Sequence, residues 1–146
     1  MHDLVSAARA ALAEAYAPYS EYPVGAALRT AEGTVYTGCN VENANFSNSL
    51  HAEEVAIGRA VAEGHRDFAA LAVTSGARDG VTPCGMCRQT LAEFCDEDFP
   101  VYCDEGDGGE EVEVGADSES DTCVTTYHLG DLLPETVSAD NLGVQP

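Results

Sequence analysis

His51-Ala52-Glu53 and, later in the chain, Pro83-Cys84-Gly85-Met86-Cys87 constrain this sequence more than any other feature. His51, Cys84 and Cys87 are donors suited to one zinc ion, so the fold has to bring two distant segments to a point. Structural zinc sites are closed by four protein ligands, whereas catalytic sites keep three and leave a position open. Glu53 lies too close to His51 in sequence to act as an ordinary fourth ligand. It is instead placed to sit beside water in the open position.

A lone Cys-x-x-Cys has other readings. A redox pair would follow a strand in a thioredoxin-like pattern and would leave His51 and Glu53 without a role. A structural zinc knot needs a fourth ligand, and Cys39, Cys95 and His65 lack paired spacing. Both ligand segments also precede helical patterns. Helix N-termini present unpaired amides and favour thiolate over thiol. Residues three apart share a helix face, so Cys84 and Cys87 can point at one ion.

At 146 residues, 45% of them hydrophobic, the chain suits a single domain over 1–146 with a substantial core. No apolar run is long enough to span a bilayer, and the N-terminus lacks a signal-peptide pattern, so a cytoplasmic protein with no membrane partner is expected. The six cysteines therefore do not imply disulfides; those other than Cys84 and Cys87 read as small buried residues or spare thiols. Asp and Glu number 26 against six Arg and no Lys, for a net charge of −20. Such a surface repels phosphate backbones and opposes a nucleic-acid partner. It also suggests a salt-rich cytoplasm, since at about 1 M salt the Debye length is roughly 3 Å and self-repulsion is screened.

Periodicity predicts a helix with Leu4, Val5, Ala8, Ala11, Leu12 and Ala15 on one face. Strands are expected at 24–28 and 35–39 around a hairpin turn at 31–34. A helix over 51–63 is closed by Gly64, and is followed by a strand over 68–74 and a helix over 84–94. Strands at 100–103 and 122–127 and a helical turn at 129–133 complete the order. This alternation predicts a three-layer α/β/α domain with a mixed sheet of about five strands. The stretch 104–121 reads as an acidic loop insertion between two edge strands, with Val112 and Val114 able to form a short pairing, and 138–146 as a loosely ordered tail.

His-x-Glu followed by Pro-Cys-x-x-Cys is a known signature of zinc deaminases. Beyond it, residues 15–20 (AYAPYS), 23–28 (PVGAAL), 38–44 (GCNVENA) and 83–89 (PCGMCRQ) resemble the short-chain cytidine deaminases across most of the chain. The resemblance implies the cytidine-deaminase fold, one zinc per subunit held by His51, Cys84 and Cys87, and a homotetramer. It implies hydrolysis of cytidine and deoxycytidine to the uridine forms and ammonia. Glu53 then moves protons from water to the ring and the departing amine. It further implies that Asn40 and Glu42 bind the ribose, that Tyr22 packs on the pyrimidine, and that the Ala52 N–H and Thr82 C=O meet the base edge. Without the resemblance, Asn40 would read as a loop cap, Glu42 as a solvated acid and Tyr22 as an ordinary packing aromatic. Alternatives are a deaminase of a modified aminopyrimidine nucleoside and a non-enzymatic zinc-stabilised scaffold.

The chain departs from the short-chain pattern at four places. The first motif usually reads Cys-Ala-Glu-Arg, but here it is His51-Ala52-Glu53-Glu54. Three thiolates leave zinc with one net negative charge, which the Arg offsets; two thiolates and a neutral His leave none, so Glu54 becomes tolerable. Phe46 stands where a Tyr often reaches toward a neighbouring subunit's nucleoside, and Val137 where an aromatic commonly closes over the base. The acidic stretch before Thr122 is also atypical.

Overall fold

Residues 1–77, 80–106 and 123–144 are described by a computed structural model. Its elements run α1 (His2–Ala11), β1 (Val24–Thr30), β2 (Val35–Cys39), α2 (Ala52–Ala62), β3 (Phe68–Ser75), α3 (Gly85–Ala92), β4 (Pro100–Asp104), β5 (Val124–His128) and α4 (Leu129–Leu132). The strands form one sheet in the order β2-β1-β3-β4-β5. Only β3 and β4 pair in parallel; the other three pairings are antiparallel. A parallel neighbour demands a crossover, and α3 supplies it. The expected mixed α/β sheet is present.

Strand alternation sorts the core onto two faces. Ala27, Ala70 and Ala72 meet Leu4, Val5 and Ala8 of α1. Ala26, Leu28, Leu71, Val73, Val101 and Cys103 meet Ala52, Ala56, Ile57 and Ala60 of α2 and Leu91 of α3. Each fully buried Leu or Val contributes about 1.5–3 kcal/mol of transfer free energy. The predicted first helix is shorter than its apolar pattern: α1 ends at Ala11, and Leu12–Glu14 form a single 3-10 turn. The hairpin turn lies where expected, and Gly64 ends α2 at φ +97, donating its N–H to the Val61 carbonyl.

Two glycines set how closely the helices lie on the sheet. A Cβ at Gly25 would overlap the Ala8 carbonyl oxygen of α1 and stand 3.1 Å from the Leu12 nitrogen. One at Gly38 would overlap the Ala52 carbonyl oxygen and stand 2.6 Å from the Ala56 nitrogen. Those atoms are backbone, so the first turn of α2 would have to lift off β2. Gly38→Ala is expected to cost about 1–3 kcal/mol through overpacking. It should lower Tm by several degrees and lose activity with it, because that turn adjoins His51 and Glu53. A thermal melt beside a turnover assay checks this; an unchanged Tm would show that α2 is not seated by Gly38.

The boundary of the acidic stretch needs correction. Asp104 is not a loop residue: it ends β4 and is only 3% exposed. Arg9 of α1 grips it with Nε at 2.6 Å and Nη2 at 2.7 Å, and the Thr74 hydroxyl donates to it at 2.7 Å. Burial pushes this carboxyl up, but Arg9, Thr74 and the Gly106 N–H together hold it below the usual carboxylate range. The expected pair of edge strands is also half right. β5 is an edge, whereas β4 lies between β3 and β5. Residues 107–122, including the expected Val112–Val114 pairing and the start of the strand predicted at 122, lie outside the described residues, as do 145 and 146. Among the described residues, no helix is long and apolar enough to cross a membrane.

Candidate metal centre and active site

His51 and Cys84 occupy equivalent places, each the N-cap of its helix. A capping residue holds extended backbone while the chain turns into the helix, so its side chain projects ahead of the first turn. His51 Nδ1 lies 3.2 Å from Cys84 Sγ and 3.3 Å from Cys87 Sγ, and the two sulfurs are 3.7 Å apart. A tetrahedral zinc with bonds of about 2.3 Å to sulfur and about 2.0–2.1 Å to nitrogen sets its donors roughly 3.6–3.8 Å apart. The trio therefore fits one ion with slight expansion. Among the described residues, these three are the one His, Cys and acidic group able to hold a metal.

The neighbouring chemistry supports the fit. Cys87 is fully buried, and burial followed by the Glu53 and Cys84 charges pushes its thiol far up. Glu53 is 4% exposed, and burial pushes its carboxyl above the ordinary range, against the opposing pull of its own backbone N–H, Cys87 and His51. Protein alone disfavours charge here, and a divalent cation removes that penalty. Glu54 has a distinct job: its carboxylate accepts the His51 N–H at 3.3 Å and so helps fix the α2 start.

A cavity of about 390 Å³ opens onto this centre, lined by Ser20, Tyr22, Asn40, His51, Glu53 and Thr82 among others, with Ala52 and Cys84 also in its wall. A second cavity of about 340 Å³ shares Ser20, Asn40 and His51 with it, and adds Tyr19, Glu42, Phe46 and Leu50. Apart from the fully buried Cys87, every residue expected at the site borders one of these two adjoining cavities. The Asn40 amide spans the cleft base: its Oδ1 accepts the Val24 N–H at 2.9 Å and its Nδ2 donates to the Tyr22 carbonyl at 2.8 Å. One N–H and one lone pair of the amide remain for a ligand. Glu42 accepts the Tyr19 N–H at 2.8 Å and the Ser20 hydroxyl, and it is held below the usual carboxylate range, by the Ser20 hydroxyl above all. Phe46 is 73% exposed and meets the Tyr19 ring edge-on at 5.9 Å between centroids.

Sequence reasoning overlooked Ser20, which borders both cavities and orients Glu42. Its only signal was membership of the matched stretch 15–20. Arg88, whose place just after Cys87 suits support of the zinc centre, with an ordinary helix-surface Arg as the alternative, is half-buried and bonded to the loop before Cys84. The remaining cysteines carry no disulfide. Burial pushes Cys95 and Cys103 up to about 12, in keeping with inert core thiols. His65 is half-buried, with its ring tilted against that of Tyr36 at 5.5 Å between centroids.

Residues 1–103 match the family described as the cytidine and deoxycytidylate deaminase zinc-binding region. A cytidine deaminase of Sporosarcina psychrophila is 48% identical over 99 residues, 68% of this chain and 73% of that protein. One from Mycobacterium tuberculosis is 37% identical over 132 residues, 90% of this chain and 85% of its relative. The crystal structure of cytidine deaminase from Burkholderia pseudomallei superposes with a TM-score of 0.78 at 39% identity, covering 93% of this chain and 98% of that one. Taken with the His51–Cys84–Cys87 centre, these matches show that the chain belongs to the zinc-binding cytidine and deoxycytidylate deaminase family.

Proposed function

We infer that this protein hydrolyses cytidine and deoxycytidine to the corresponding uridine forms and ammonia, as its relatives' names state for cytidine. One observation carries the reading: a carboxylate, Glu53, lies almost fully buried in the wall of a nucleoside-sized cleft, beside three zinc donors. When bound, zinc supplies Lewis acidity that lowers the pKa of water to about 7. The residues of the chain divide the remaining work. Glu53 takes a proton from water as its oxygen adds to ring carbon C4 and delivers it to ring nitrogen N3. It then takes the second proton from the new C4 hydroxyl and passes it to the amine, which leaves as ammonia as the C4–N bond breaks and C4=O forms. Burial keeps bulk water from competing for those protons. Tyr22 packs on the base, the Ala52 N–H and the Thr82 C=O meet its edge, and Asn40 and Glu42 hold the ribose.

The cleft also selects the class of substrate. None of its described lining residues is Lys or Arg, while Glu42 and Glu53 are both acidic. A 5′-phosphate would enter a region of like charge, a juxtaposition that costs several kcal/mol. We therefore assign nucleosides rather than nucleotides, despite the breadth of the family. The exposed Tyr19, Phe46 and Leu50 around the mouth support assembly into a homotetramer, and the −20 charge supports work in a salt-rich cytoplasm. The test is ammonia release by zinc-loaded protein in molar KCl. Cytidine should be preferred to cytidine 5′-phosphate by at least about 10²-fold in kcat/KM. In the same series Tm should climb from low to molar KCl, and light scattering should give four chains. Equal rates on nucleoside and nucleotide would sink the substrate assignment, and a Tm indifferent to salt would sink the halophilic one.

A further inference from the structure

Arg88 follows Cys87 directly and lies one helical turn beyond Cys84. Its guanidinium turns back along α3 and spends all three nitrogens. Nε donates to the Pro83 carbonyl at 2.6 Å, Nη1 to the Leu132 carbonyl at 2.7 Å, and Nη2 to the Thr82 hydroxyl at 3.2 Å. All three acceptors are neutral, so the side chain is not spent on an ion pair although acidic groups dominate the chain. Thr82 borders the catalytic cavity, and buried Pro83 is the last residue before the Cys84 ligand. The Leu132 carbonyl lies in α4, across the chain from that loop, so one side chain joins three segments.

We propose that Arg88 is a positioning residue that holds the Thr82–Pro83 wall of the cavity and the approach of the chain to Cys84. This deepens the nucleoside-deaminase reading and rests on it for the substrate side. Residues 81–84 form neither helix nor strand, so no regular backbone hydrogen-bond ladder holds that wall. A loop carrying both a substrate contact and a metal ligand has to be held from behind, and a planar fork with fixed donor directions suits that task. Lys would keep the charge but cannot reproduce three divergent bonds. The Arg88 guanidinium bonds Thr82, Pro83 and Leu132 rather than the donor atoms of His51, Cys84 or Cys87, so it acts on the centre through Thr82 and Pro83.

The test uses zinc-loaded Arg88→Lys, with Arg88→Met and Thr82→Val as companions. Arg88→Lys should keep one zinc per chain. Its KM for cytidine and its Kd for the product uridine should rise about tenfold, since small displacements of positioning groups carry such penalties. Its kcat should move far less, because Glu53 is held by α2. A chelator such as EDTA should strip its zinc about tenfold faster than from the parent, by the same displacement acting on Cys84. Thr82→Val should shift KM the same way but less, and add little on top of Arg88→Lys. Parental KM and parental zinc-release rates in Arg88→Lys would overturn the proposal. So would a lower Tm with KM and zinc release unchanged, which marks a merely structural Arg88. Should the parent protein fail to deaminate cytidine, the functional reading falls, and zinc release alone decides the role of Arg88.

Discussion

Glu53→Gln is expected to lose about 10²–10⁴-fold in kcat on cytidine while keeping one zinc per chain, because the substitution removes only the proton-accepting function. The amide matches the carboxylate in shape, so the buried side chain, 4% exposed, leaves no void behind. It also removes a charge from an apolar setting, where an ionised group is expensive to hold. Tm should therefore stay within about 4 °C of the parent, roughly 1 kcal/mol for a domain of this size. Measuring turnover, zinc content and melting on the same preparation separates the possibilities. A variant that retains even a tenth of parental kcat would remove Glu53 from the chemistry. A variant that loses zinc would make it a ligand after all.

Cys87→Ser should abolish zinc binding at stoichiometric metal and take the activity with it. Cys87 is the fully buried member of the trio, and its sulfur lies 3.3 Å from His51 Nδ1 and 3.7 Å from Cys84 Sγ. Two remaining donors cannot build the three-ligand site. The activity loss should span several orders of magnitude, since water reverts from a pKa of about 7 toward about 15.7 without the ion. Chelating the parent should reproduce the same loss, and zinc added back should restore the parent but not the variant. If the serine variant kept parental activity with parental zinc, the donor set would have to be redrawn.

The sequence was most informative where covalent spacing does the geometric work. Cys84 and Cys87 share a face because they are three apart at the start of one helix, and His51 and Glu53 stay close because one residue separates them. Gly64, the 31–34 turn and the continuous apolar run of β3 announced their roles in the same local way. The site residues inferred by resemblance, Tyr22, Asn40, Glu42 and Thr82, all border the cleft, but their tasks were not readable locally. Asn40 caps β1 and also borders the cleft, so the loop-cap reading and the proposed ribose contact describe one side chain. Asp104 looked like the first residue of an acidic loop because its followers are acidic. Only its pairing with Arg9, 95 positions earlier, makes it a buried anchor.

What the sequence determined by itself was therefore the donor set, the starts of the two helices that carry it, and the α/β alternation, since each follows from contacts within one or two turns of chain. What only the tertiary structure decided was that these helix starts meet. Gly38 lets α2 rest on β2, α3 crosses over between β3 and β4, and Arg88 ties the loop before Cys84 to α4. Those contacts join residues far apart in the chain, where no propensity or spacing speaks and packing alone selects the partner.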